Sequence, residues 1–222
     1  MDLVLYFLAF AITIIAQIFV SSTTNKYFKK KSKRGLTGSE VAKIILNQNG
    51  LSNVKVNRIT GNLTDHYDPA HKTVNLSSAV YDSDSITSIS VAAHECGHAI
   101  QDKNGYTPLR IRHALIPLVN FSSYAGYFAI VIGAIASLTK LITIGLILEC
   151  VILLFELVTL PVEFNASFRA LKELEKNMID AKEIKGSKKV LRAAAFTYVA
   201  STASTALEIL RLVLIFGKRD DN

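Results

Sequence analysis

Long uncharged runs limit what this sequence can fold into more than any motif does. Ala114 to Leu138 holds no charged residue across 25 positions, and Leu3 to Val20 holds none across 18. An α-helix needs roughly 17–25 apolar residues to cross the hydrocarbon of a bilayer. A third run, Leu141 to Val162, is broken only by the charges of Glu149 and Glu156. Half of the chain is hydrophobic and only 19% is charged. Because the apolar residues are gathered into runs rather than dispersed, the pattern is that of a membrane protein and not of a soluble core.

The first run reads as an uncleaved anchor, since Asp2 stands where a signal peptide carries a basic residue and no small-x-small cleavage site follows. The second and third runs, separated by a short link with Lys140, read as a tight transmembrane hairpin. Val190 to Phe216 has the length of a span, but Thr197, Ser201, Ser204, Thr205, Glu208 and Arg211 line one helical face. Two readings fit it: a fourth span with its polar stripe turned toward protein, which we take, or an amphipathic helix lying on the membrane.

The net charge of +7 owes much to one cluster, Lys26, Lys29, Lys30, Lys31, Lys33 and Arg34, directly after the first run. There it reads as a positive juxtamembrane flank rather than a nucleic-acid surface. It places the following segment in the cytoplasm. Arg110, Arg112, Arg169 and Lys172 agree, while Lys218 and Arg219 disagree mildly. Two cysteines, Cys96 and Cys150, are too few for a disulfide framework.

From Thr37 to about Arg112 the composition turns globular. Thr37 and Glu40 form a capping box, with a helix running to Asn49 and Gly50 as its left-handed cap. Val54 and Val56, then Val74 and Leu76, alternate with polar residues as strands do. Between them Gly61, Asn62 and Asp68-Pro69 mark turns. Another helix is expected to begin around Asp82 to Asp84. After the hairpin, Glu163 to Ile184 is charged and amphipathic, and Gly186 is expected to end it. The expected organisation is therefore an anchor over 1–22 and a zincin-like α+β region over 23–113. A transmembrane hairpin over 114–162, an amphipathic helix over 163–189 and a fourth span with tail over 190–222 complete it. The fold class is a mainly α membrane protein with a small α+β region and three or four transmembrane helices.

Chemistry enters at His94-Glu95-Cys96-Gly97-His98. Histidines four apart on a helix share a face, so both imidazoles can reach one tetrahedral Zn2+, and the glutamate between them can take a proton from a water on that metal. At 100° per residue Ile86, Ile89, Ala93, Cys96 and Ile100 share a stripe roughly opposite the histidines, so Cys96 reads as a packed residue. A catalytic zinc needs a third protein ligand. Candidates are His66, His71, His113 and the acids Glu149, Glu156 and Glu163, which are spaced by sevens along one helix. Of these acids, Glu163 stands at the end of the apolar run.

Asp65-His66-Tyr67-Asp68-Pro69 is the next suspect. Asp65 is a candidate to support a metal ligand, and His66 or Tyr67 to donate to an oxyanion, against the plainer reading of a structural turn. His71 and His113 read as surface and membrane-flank residues. The strand around Val74 to Leu76 is a candidate edge to which an extended substrate adds.

Residues 36–113 and 157–175 resemble the YugP-type membrane zinc metallopeptidases of bacteria. The resemblance rests on Leu36-Thr37-Gly38, Leu63-Thr64-Asp65-His66-Tyr67-Asp68-Pro69, Val91-Ala92-Ala93-His94-Glu95-Cys96-Gly97-His98-Ala99 and Leu160-Pro161-Val162-Glu163-Phe164-Asn165-Ala166-Ser167. It implies that Glu163 completes a His-His-Glu zinc site with His94 and His98, as a glutamate from a later helix does in CAAX-processing and HtpX-like proteases. Those proteins follow the ligand with Glu-x-x-x-Asp, where this chain has Ser167. The YugP-type pattern has an aspartate where this chain has Asn165, a residue that still accepts a hydrogen bond beside a ligand.

The expected function is peptide-bond hydrolysis by a multi-pass protein of the plasma membrane with its site facing the cytoplasm. Zn2+ is the cofactor, Glu95 the base, the bilayer and a polypeptide substrate the partners, membrane proteins included, and no nucleic acid is involved. The alternatives are a membrane scaffold or chaperone-like protein with a structural zinc site, and a transporter suggested by Glu149, Glu156, Glu208 and Arg211.

Overall fold

A computed structural model of the chain describes residues 2–61, 63–176 and 179–217. Asn62, Lys218 and Arg219, used above as turn and topology signals, lie outside them. Among the described residues, seven helices and three strands follow in the order α1 (Asp2–Phe28), α2 (Gly38–Gln48), β1 (Lys55–Ile59), β2 (His66–Asp68), β3 (Thr73–Ser77), α3 (Ser78–Tyr81), α4 (Ile86–Lys103), α5 (Thr107–Ile135), α6 (Thr139–Glu175) and α7 (Ala181–Phe216). The protein is mainly helical. Four of its helices, α1, α5, α6 and α7, are long and apolar enough to cross a membrane. The chain divides into two compact units, residues 18–109 with 161–196 and residues 1–17 with 110–160 and 197–222.

The unit that spans residues 18–109 and 161–196 carries the hydrophobic core. Ile89, Ala93, Cys96 and Ile100 of α4 meet Val41, Ala42 and Ile45 of α2, Val74 and Leu76 of β3, Leu174 of α6 and Leu191 of α7 in one buried cluster. The capping box predicted for α2 is present, with Thr37 accepting from the Glu40 amide and Glu40 from the Thr37 amide. Gly50 adopts φ +64°, the left-handed conformation that terminates a helix without a Cβ clash. Cys96 lies in the core with its thiol toward the Ala42 carbonyl, and burial pushes that thiol well up.

The sheet differs from its sequence reading in one consequential way. The strand order is β1-β3-β2, with β1 parallel and β2 antiparallel to β3. β3 is therefore the central strand, buried along its whole length, and no substrate can add along Val74 to Leu76. The edges are β1 and the three-residue β2. That short strand lies inside a stretch whose aspartate and proline signal turns, and so its alternation was too brief to read.

Helix boundaries shift as well. α4 begins at Ile86 under an N-cap from Ser85, whose hydroxyl accepts from the Ser88 amide. The aspartates expected to cap it form ion pairs instead, Asp82 with Arg58 and Asp84 with Lys31. The segment expected as a separate amphipathic helix is not one element. α6 continues through Pro161 to Glu175, and α7 begins at Ala181 and passes through Gly186. A Cβ on Gly186 would lie 2.8 Å from the Tyr27 ring, so this glycine serves close packing rather than helix termination.

In the other unit, α5 and α6 pack through glycines. A Cβ on Gly145 would fall 3.0 Å from the Gly126 carbonyl, and one on Gly133 would fall 3.0 Å from the Ile142 nitrogen. Small residues let helix backbones approach where the lipid offers no hydrophobic drive. The polar stripe of α7 is turned toward protein. Ser204 donates to the Ala9 carbonyl and shares a hydrogen bond with Thr13, while Ser201 donates to Glu156 at 2.6 Å. Those contacts place Glu156 in interhelical bonding.

At the start of α2 a Cβ on Gly38 would fall 2.2 Å from the Val80 carbonyl oxygen, a backbone atom with no room to retreat. Gly38→Ala is expected to cost about 1–3 kcal/mol or more, as overpacking does. A lowered thermal unfolding midpoint of the detergent-solubilised protein measures it, and an unchanged midpoint refutes it.

Candidate metal centre

Two helices supply the site. α4 presents His94 and His98 one turn apart on a face away from its core stripe, with the rings edge to face at 4.8 Å. α6 presents Glu163, 2% exposed, immediately after the end of its apolar run. The Nε2 of His94 stands 3.1 Å and that of His98 3.6 Å from the same oxygen, Glu163 Oε2. One ligand atom from each of the three residues lies within 4.8 Å of the others. A tetrahedral ion with bonds of about 2.0–2.1 Å has donor–donor edges of about 3.3 Å, so the set fits such an ion. Two neutral imidazoles and one carboxylate are also ligands that zinc accepts. His66, His71 and His113 are not members of the set.

Gly97 makes the crossing of these helices possible. A Cβ there would fall 2.5 Å from the carbonyl oxygen of Ala166, and 3.1 Å from its Cα. With only hydrogen at that point, α4 and α6 touch backbone to backbone, and Glu163, one turn before Ala166, reaches the histidines.

The far nitrogens of both rings are held. His94 Nδ1 lies 3.2 Å from the hydroxyl of Ser167. His98 Nδ1 lies 3.0 Å from Oε1 of Gln101. Gln101 is fully buried, and its amide nitrogen donates to the Val162 carbonyl at 2.8 Å and to Asn165 Oδ1 at 3.1 Å. Arg169 Nε donates to the same Asn165 oxygen at 2.7 Å. Asn165 thus reaches the ligands through Gln101. Sequence reasoning missed Gln101 and Gly97. The available signal for Gln101 was its place three residues after His98, which puts it on the same helical face.

Glu95 is 7% exposed, and burial is the largest influence on its carboxyl, pushing it up to about 7. His98 and His66 act against that rise, and the charges of Glu163 and Asp65 add to it. For Glu163, burial works against ionisation. The neighbouring His94 and His98 rings outweigh it and hold the carboxyl well below the usual range.

The Asp65–Pro69 stretch is placed near the site by charge but bonded elsewhere. Asp65 accepts from the amide and hydroxyl of Ser77, while burial raises its carboxyl. Neither His94 nor His98 donates a hydrogen bond to it. His66 uses Nδ1 toward the Thr64 carbonyl and Nε2 toward the Asn75 amide, so its ring offers no spare donor to an oxyanion in this geometry. The Tyr67 hydroxyl donates to Asp102 at 2.7 Å. These bonds fasten β2 to β3 and to the end of α4. His71 pairs on the surface with Asp68 at 2.6 Å.

Comparison with known proteins adds two findings. The model of a family described as "Putative neutral zinc metallopeptidase" matches residues 3–217. A protein of Bacillus subtilis (strain 168) named "Putative membrane protease YugP" is 44% identical over 216 residues, which cover 96% of each chain. No solved structure matches.

Two outcomes follow from this geometry. Gly97→Ala is expected to push α6 off α4 and weaken divalent-metal binding about tenfold or more, as loss of a ligand-orienting contact does; metal retention equal to wild type after dialysis refutes it. In metal-free protein Glu95 holds its proton more tightly folded than unfolded. Raising the pH from about 4.5 to 7 therefore destabilises the fold through this group, by on the order of 3 kcal/mol. Glu95→Gln should accordingly gain thermal stability over wild type at pH 7 but not at pH 4.5, and parallel melting curves at both would refute it.

Proposed function

This chain belongs to the family of neutral zinc metallopeptidases, and we propose that it is a multi-pass membrane protein that hydrolyses peptide bonds with one zinc ion. The observation that carries the reading is the meeting of His94, His98 and Glu163 around one point, with the buried carboxyl of Glu95 on the same helix as the histidines. His94 Nε2, His98 Nε2 and a Glu163 oxygen would hold the ion, leaving a fourth position for water or substrate. Zinc bound there supplies Lewis acidity toward a carbonyl oxygen and lowers the pKa of water toward ~7.

The chain's own residues do the rest. Glu95 accepts the proton of the attacking water and later delivers it to the nitrogen of the departing amine. A carboxyl poised near neutrality exchanges a proton in both directions, as this double role demands. Gln101 and Ser167 hold the two imidazoles from behind. Asp65 and His66 act on Glu95 through charge rather than contact.

The substrate is a polypeptide, with membrane proteins the candidates that share its bilayer. The basic flank Lys26 to Arg34 and the arginines at 110, 112 and 169 support a site on the cytoplasmic side of the plasma membrane.

Glu95→Gln tests the chemistry. It should retain zinc and lose roughly 100- to 10 000-fold in cleavage of a casein-type or unfolded membrane substrate. Undiminished turnover removes Glu95 from the mechanism. Glu163→Ala should lower the zinc stoichiometry, and an unchanged stoichiometry removes that ligand.

A further inference from the structure

The backbone carbonyl of Val162 reaches the metal ligand His98 through one side chain, Gln101. A carbonyl oxygen only accepts, so the group that Gln101 places 2.8 Å from it must be the NH2 end of the amide. The same end faces Asn165 Oδ1, which already accepts from Arg169. That oxygen, too, faces a donor. With its nitrogen fixed by two acceptors, Gln101 can present only Oε1 to His98. An amide oxygen is an acceptor, and it lies 3.0 Å from His98 Nδ1. Nδ1 must therefore bear a proton, which leaves Nε2 as the nitrogen with a lone pair to give. Nε2 is the atom that faces Glu163.

We infer that Gln101 is a positioning residue for the metal centre: it fixes the tautomer and the ring plane of His98, and it ties that choice to the helix that carries Glu163. This rests on the zinc-site reading above. Its content is separate, because three ligands can meet without any of them being held from behind. Val162 adjoins Glu163 in the chain, so the hydrogen bond to its carbonyl fixes Gln101 against the same turn of α6 that delivers the third ligand. A shift of that turn is transmitted to the His98 ring through one fully buried amide. Both orienting partners, Gln101 for His98 and Ser167 for His94, are neutral. A neutral acceptor orients an imidazole without the added basicity that a carboxylate confers on it.

The test uses full-length protein in detergent and Gln101→Met, which keeps the length of the side chain and removes both its acceptor and its donors. Zinc affinity is read by competition with a chelator of known affinity. The variant should bind zinc about 10–100-fold more weakly than wild type. Its metal-free melting temperature separates this loss from general unfolding. A second measurement needs no variant: nitrogen-15 spectra of zinc-loaded wild type with labelled histidine, with His98 assigned by its loss in His98→Gln. They should show a proton on His98 Nδ1 that exchanges slowly with solvent. Zinc affinity of Gln101→Met within twofold of wild type overturns the inference, as does a His98 proton on Nε2 with metal on Nδ1. A wild-type protein that binds no zinc overturns the metal-centre reading as well, so the two failures are distinct.

Discussion

Two helices can share a metal only if their axes come close, and here the distance is set by the absence of a side chain at residue 97. The carbonyl of Ala166 occupies the space where any other residue would put its Cβ. From that contact the rest of the centre follows by helix geometry. His94 and His98 flank Gly97 on α4, while Glu163, Asn165 and Ser167 surround Ala166 on α6. Ligands and their orienting partners are thus distributed within about one turn of a single crossing point. Hydrophobic packing on the opposite side of α4 holds the crossing in place, since Ile89, Ala93 and Cys96 are anchored among α2, β3 and α6.

The polar groups around the centre show how buried hydrogen bonding replaces charge. Ser167 and Gln101 take the positions behind the imidazoles, and Arg169 pairs with an asparagine rather than an acid. The carboxylates kept close to the rings are then Glu163 and, on the same helix as the histidines, Glu95. Their environments push them in opposite directions, Glu163 held ionised by two imidazoles and Glu95 raised by burial. That divergence suits one carboxyl to hold a cation and the other to exchange a proton near neutrality.

Much of this was legible in the sequence for physical reasons. The apolar runs announce helices α1, α5 and α6 because length and lack of charge suffice to define a span. The histidine spacing announces a shared face, and the capping box of Thr37 and Glu40 is a local bond between neighbours. What failed depends on distant partners. The aspartates at 82 and 84 look like caps until Arg58 and Lys31 arrive to pair with them. Gly186 looks like a terminator until Tyr27 is seen against it. β2 is three residues long and exists because β3 lies beside it. Gln101 could be placed on the correct face from its spacing, but its partners on α6 are invisible without the crossing. Glu163 was named through likeness to a known family, since spacing alone left six candidates for the third ligand.

The histidine and the glutamate that meet in this centre are 69 residues apart in the chain, with the whole of α5 and most of the apolar part of α6 between them. A ribosome adding about 5–20 residues per second releases the histidines roughly 3–14 s before the glutamate. During that interval a nascent chain has His94, Glu95 and His98 but lacks the third member of the candidate metal set. The three-residue set is thus completed late in synthesis, after both helices of the hairpin have largely been made. The order of the genetic message itself therefore sets the order of assembly, with the two-histidine half of the cage waiting on a hairpin that has still to be made.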